Sequence, residues 1–213
     1  MAVTAAMPLP EPLPESGNAQ RYFHKSSKHW IAKVLPGFFY VTRHQEQVMT
    51  VLGSCIAACV RDPVAGVGGM NHFMLPSGTE ERANTWGSGS SAANRYGNFA
   101  MENLLNSLIK HGARKDRLEV KIFGGGSVLN ISSNVGARNI EFAKQYLATE
   151  NLMVIASDVG SDCARKVIYD PLTGKTRVKR LREVYTGLVV SQEKELAQSL
   201  NQAPVDGSVE LFE

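Results

Sequence analysis

The chain has 213 residues, 43% hydrophobic and 20% charged, with a formal net charge of +3. That suits one globular domain with tails, or at most two small ones, and is too mild a charge to imply nucleic acid by itself. Three cysteines, Cys55, Cys59 and Cys163, make no disulfide framework and fit a reducing, cytoplasmic compartment.

Residues 1–25 read as a disordered tail spaced by Pro8, Pro10, Pro12 and Pro14. Those prolines also break any export signal, and no apolar run approaches the roughly 18 residues a membrane span needs. Neither export nor membrane insertion is expected. The domain is expected over 26–190. Phe38 to Thr42 and Gln47 to Leu52 carry the aromatic and β-branched residues of strands. Ile56 to Val60 is a short apolar run, readable as a buried strand or one helical turn. Asp62-Pro63-Val64-Ala65-Gly66 is a turn, and Val67 to Leu75 a strand ended by Pro76. Residues 77–91, with Trp86, form a long loop. Ala93 to Lys110 repeats apolar residues at helical spacing and stops at Gly112. Leu118 to Phe123 is a strand leading into Gly124-Gly125-Gly126-Ser127. Val135 to Thr149 is a second helix, capped by Asn134 or Ser133. Leu152 to Ala156 is a strand, and Val167 to Tyr169 pairs with Arg177 to Leu181 as a hairpin. Residues 191–213 form a polar C-terminal tail with room for one helix, Gln192 to Leu200. The fold class is an α/β (α+β) layered sandwich with mixed sheets and two main helices.

Chemistry concentrates in Leu52-Gly53-Ser54-Cys55 and Gly68-Gly69-Met70-Asn71-His72. A cysteine nucleophile needs its thiolate, and an imidazole can take the proton. A hairpin centred on Pro63 and Val64 would put Cys55 directly opposite His72, on one face. If Ile56 to Val60 were instead helical, Cys55 would lie at a helix N-terminus. Gly53 lets the backbone turn so that N–H groups near Ser54 form an oxyanion hole. Gly68 and Gly69 would let substrate approach, and Asn71 is grouped with Gly53 and Ser54 as substrate-facing.

The run from Leu52 to Pro76, centred on Gly53-Ser54-Cys55 and Asn71-His72, resembles the signature of the CheD family of chemoreceptor glutamine deamidases. Lys121 to Gly126, Asn134 to Asn139, Asp158-Val159-Gly160 and Gly174 to Leu181 resemble further family segments. The resemblance spans about residues 30–185. It implies a layered fold similar to the catalytic domain of the deamidating cytotoxic necrotizing factor toxins. It implies Cys55 as nucleophile, His72 as base and Thr50, just upstream, as the residue that orients the histidine. It implies cofactor-free hydrolysis of glutamine side chains in methyl-accepting chemotaxis receptors, which supports sensory adaptation. The alternatives it leaves are receptor methyl-ester hydrolysis and a regulatory binding role with a CheC-like phosphatase. Ser161-Asp162-Cys163-Ala164-Arg165 departs from the family pattern.

Three other readings are weaker. A zinc site of Cys55, Cys59, His72 and Cys163 lacks a second ligand pair, so no metal is expected. Gly124 to Gly126 lacks the immediate helix of a dinucleotide site and the lysine of a P-loop. Lys175, Arg177, Lys179, Arg180 and Arg182 read as a solvated strand edge rather than a nucleic-acid surface.

Overall fold

A computed structural model describes residues 8–14, 16, 19–76, 92–128, 134–181 and 183–202, without the side chains of 92–95, 183–186, 188, 201 and 202. The expected long loop at 77–91 and the cap candidate Ser133 lie outside the described residues. The strands are β1 (Gln20–His24), β2 (His29–Lys33), β3 (Phe39–Thr42), β4 (Glu46–Leu52), β5 (Ile56–Asp62), β6 (Val67–Asn71), β7 (Glu119–Gly124), β8 (Val154–Val159), β9 (Arg165–Tyr169) and β10 (Thr176–Arg180). The helices are α1 (Ala92–Lys110), α2 (Val135–Thr149) and α3 (Glu183–Gln202).

Two five-stranded sheets form, in the orders β1-β2-β4-β9-β10 and β3-β6-β5-β7-β8. Both are mixed, because β2 pairs β4 and β7 pairs β8 in parallel while the other pairs are antiparallel. The second sheet is the central layer. Ile56, Ala58 and Val60 of β5 point to Met101, Leu104 and Leu108 of α1 and Phe142 of α2. Cys55, Ala57 and Cys59 point the other way, toward Val48, Leu52, Val167 and Tyr169 of the first sheet. Residues alternate across a strand, so a strand buried on both faces reads as an unbroken apolar run. That resolves the strand-or-helix ambiguity of Ile56 to Val60 in favour of a strand.

Several expectations need correction. The expected disordered tail of 1–25 gives way to a strand at its end: Gln20–His24 is β1, paired antiparallel with β2. Its outward face is exposed, so backbone pairing rather than a strong apolar pattern holds it. The two main helices form as α1 and α2, and among the described residues a third α-helix, α3, begins nine residues before the expected Gln192 to Leu200 segment and ends two residues after it. Asn134 precedes α2 but makes no side-chain capping bond. Strand β6 ends at Asn71, followed by a single bridge between Ile56 and Phe73.

The hairpin register also differs. Asp62 pairs with Val67 and Cys59 with Met70, so the loop has four residues, Pro63 to Gly66. The Asp62 carboxylate accepts the N–H groups of Val64 and Ala65, and Gly66 takes φ +62°. This widens the turn by two residues. Cys55 and His72 therefore stand diagonally rather than directly opposite, but an even shift keeps both on the same face.

Candidate active site

Cys55 lies immediately before β5 and His72 immediately after β6, both facing the first sheet. Thr50, on β4, faces them from that sheet. Its Oγ1 donates to the Val34 carbonyl at 2.8 Å and lies 2.7 Å from Nδ1 of His72. A threonine has one hydroxyl hydrogen, and Val34 takes it. Nδ1 of His72 must then be the protonated nitrogen. Nε2 is left with its lone pair free, buried and without a hydrogen-bond partner. Thr50 thus fixes the tautomer a general base requires.

The segment from Gly53 to Cys55 is held by its carbonyls. Gly126 N–H donates to Gly53 O at 2.7 Å, Asn139 Nδ2 to Ser54 O at 2.8 Å, and Gly125 N–H to Cys55 O at 2.7 Å. With three successive carbonyls engaged, the N–H groups of Gly53, Ser54 and Cys55 converge on one point. Gly124, at φ +112°, and Gly125, at φ +66°, make this clamp possible, and a Cβ on Gly124 would come within 2.1 Å of Cys55 O. The expected glycine turn thus holds the loop that carries Cys55 in shape, and it borders a cavity of about 180 Å³ with Ser54 and Ile140.

A carboxylate occupies the point of convergence. Glu193, from α3, accepts Gly53 N–H at 2.8 Å, Ser54 N–H at 2.8 Å, Cys55 N–H at 3.0 Å and Ser54 Oγ at 2.7 Å. A Cβ at position 53 would approach its Oε2 within 2.8 Å. It would also come within 2.6 Å of Val128 Cγ2, so a side chain at position 53 would push on both Val128 and Glu193, while the φ of Gly53 is not in the left-handed region. The Cys55 thiol sulfur, a ring nitrogen of His72 and a carboxylate oxygen of Glu193 all lie within 4.8 Å of one another. Burial pushes the Cys55 thiol well above its ordinary range, and the adjacent Glu193 charge adds to the effect. Burial likewise pulls His72 down to about 4, against the opposing pull of Glu193. In this arrangement the pair is a neutral thiol beside a neutral imidazole.

The sequence-derived residues divide as follows. Cys55, His72, Thr50, Gly53 and Ser54 come together. Asn71 does not: it faces the helix layer, where Oδ1 accepts Ala58 N–H at 2.8 Å and Nδ2 donates to Ala100 O at 3.1 Å. Gly68 and Gly69 admit neighbouring chain rather than substrate, since a Cβ on Gly69 would meet Tyr40 O at 2.3 Å. The expected zinc alternative fails as a group. The one metal-capable cluster among the described residues is Cys55, His72 and Glu193, without Cys59 or Cys163. Both Glu193 oxygens are already taken by N–H and O–H donors, which disfavours a cation there. Glu193 and Asn139 were missed. Asn139 lies fully buried in α2, and a polar residue inside an otherwise apolar helix face is the signal that could have found it. In the departing segment, Arg165 is buried and binds Asp158 and the Gly160 carbonyl, so it braces the loop structurally.

A cysteine beside a histidine of fixed tautomer, with convergent backbone donors in an α+β sandwich, is the arrangement of a cysteine hydrolase. The family model described as "CheD chemotactic sensory transduction" matches residues 74–180. A Hydrogenovibrio crunogenus protein, "Probable chemoreceptor glutamine deamidase CheD", is 49% identical over 180 residues, covering 84% of this chain and 93% of its own length. Proteins with the same name from Hahella chejuensis and Halorhodospira halophila are 44% and 46% identical, each over 96% of this chain and over 96% and 94% of their own lengths. The chain belongs to the CheD family. Among solved structures, Bacillus licheniformis hypothetical protein YfiH aligns at 13% identity and TM-score 0.37, over 56% of this chain and 49% of that one.

Proposed function

We propose that this protein hydrolyses the side-chain amide of glutamines in methyl-accepting chemotaxis receptors, giving glutamate and ammonia. The observation that supports this best is the convergence of Cys55, the Thr50-oriented His72 and three backbone N–H groups on one point. His72 Nε2 takes the Cys55 proton, and the thiolate attacks the amide carbon. The oxyanion is held by the N–H groups of Gly53, Ser54 and Cys55. His72 then protonates the leaving ammonia, and water, deprotonated by His72, resolves the thioester. The relatives' printed name, chemoreceptor glutamine deamidase, supports the substrate class.

Such receptors present their cytoplasmic helices to a cytoplasmic enzyme. No described helix is long and apolar enough to cross a membrane. A CheC-like phosphatase is the regulatory partner this reading implies. The test is mass spectrometry of a receptor cytoplasmic fragment incubated with the protein. The expected result is conversion of specific glutamines to glutamates by the wild type and none by Cys55→Ala. Wild-type activity in Cys55→Ala would sink the reading. Methanol release from a methylated fragment, without amide loss, would point to ester hydrolysis instead.

A further inference from the structure

The carboxylate that α3 places on the nucleophile loop is chemically what the proposed reaction makes. The product is a glutamate side chain whose carboxylate leaves the oxyanion donors beside Cys55. Glu193 is a glutamate side chain seated on those same donors. Among the described side chains of its helix, few others are buried. Val189 and Glu193 are buried and Leu196, Ala197 and Leu200 half-buried, while Gln192, Lys194 and Glu195 are exposed. Spacings of four, seven, eight and eleven put those buried and half-buried residues on one stripe. The centre of that stripe is where a helix docked on an apolar core would carry an aliphatic residue, and it holds a charged one.

We infer that α3 is an internal product mimic. It occupies the groove in which a receptor helix docks, and Glu193 fills the pocket of the substrate glutamine, so α3 must lift for catalysis. This rests on the deamidase reading above. Two features separate it from a catalytic role for Glu193. The base already has its orienting partner on Nδ1, and Glu193 makes no hydrogen bond to the imidazole. The donors that Glu193 saturates are the ones an oxyanion needs, so a glutamate that stayed would block the step it was meant to assist. A cavity of about 220 Å³ separates Val189 and Gln192 of α3 from Thr50 and His72. The helix is therefore held at its Glu193 anchor more than by continuous packing beside the base. The occupant that replaces it is an amphipathic helix carrying glutamine at the equivalent place, laid in the same groove.

An internal competitor reduces the fraction of enzyme open to substrate and raises the apparent KM by that factor, leaving kcat alone. The full-length chain, Glu193→Ala and Glu193→Met, which keeps the side chain's length without an acceptor oxygen or a hydrolysable amide, are compared on a receptor cytoplasmic fragment, with thermal melting to confirm folding. The expected result is a KM lower by at least about fivefold in Glu193→Ala, with kcat little changed. Iodoacetamide labelling of Cys55 in the absence of substrate is expected to speed up by a similar factor. An unchanged or raised KM, or a lowered kcat, overturns the inference and makes Glu193 structural or catalytic. If Glu193→Ala does not fold, Glu193→Met decides by the same two readings. If labelling speeds up while no variant, wild type included, deamidates the fragment, the substrate reading has failed and the plug stands. If deamidation proceeds and neither KM nor labelling moves, the plug has failed and the deamidase stands.

Discussion

Thr50 has a single hydroxyl hydrogen and gives it to Val34, and the protonation of His72 follows from that. Thr50→Val keeps the shape and removes the oxygen, so the imidazole loses what fixes its tautomer. Its kcat for deamidation is expected to fall about 10²-fold, the lower end of what a positioned base contributes. KM should move little, and Thr50→Ser, which restores the hydroxyl, should recover most of the rate. Equal losses in Thr50→Val and Thr50→Ser would mean that packing, not the hydrogen bond, is at stake. At this scale much was legible, because Cys55, His72 and Thr50 belong to residue types whose chemistry announces them. Glu193 was not. It stands in a polar stretch among exposed charges, and its partners lie 138 to 140 positions away. Nothing local distinguishes it from Glu195, two residues on and exposed.

At the scale of elements, the glycine run after β7 and the loop before β5 function as one unit. Gly124→Ala would force a side chain into the left-handed region and against Cys55 O. A loss of more than about 2 kcal/mol is expected, read as a Tm drop of roughly 5 °C or more, together with most of the activity. Gly66→Ala is the control. It shares the left-handed φ, at +62°, but a Cβ there meets nothing within 4 Å. It should cost about 1 kcal/mol and leave kcat intact. Equal effects at the two positions would show that conformational strain alone, and not the clamp, governs the loop. The strands and the first two helices were legible here because their patterns are long and their stops strong. The register between β5 and β6 was not, because it depends on how Asp62 caps its own loop. Strand β1 was hidden by its exposure, and α3 by a polar surface that conceals a narrow inward stripe.

At the scale of the molecule, the central sheet separates two cores, and the candidate site lies at an end of the inter-sheet one. The expected layering survives because runs such as Ile56 to Val60 leave no polar face for solvent. The cost of that placement is a histidine kept out of water. His72 is pulled down to about 4 in the fold, chiefly by burial, whereas an exposed histidine titrates near 6.5. Between those values the unfolded chain holds a proton that the folded chain refuses, so stability must rise with pH across that window. Above it both states are neutral, and this residue contributes no slope. As pH falls from about 6.5 to 4, the fold should lose up to about 3 kcal/mol through His72. A second loss belongs to lower pH. Burial opposes the Asp62 carboxylate, but the N–H of Ala65, the Arg117 guanidinium and the N–H groups of Arg114 and Val64 outweigh it and hold Asp62 at about 2. Denaturant unfolding at a series of pH values separates the two. His72→Gln should flatten the stability curve between 6.5 and 4 while leaving the fall below 3.8 in place, whatever it does to absolute stability. Parallel curves for wild type and His72→Gln would mean that His72 takes up its proton in the fold as readily as in water. A base so easily protonated could not be the shielded, neutral imidazole on which the proposed attack by Cys55 depends.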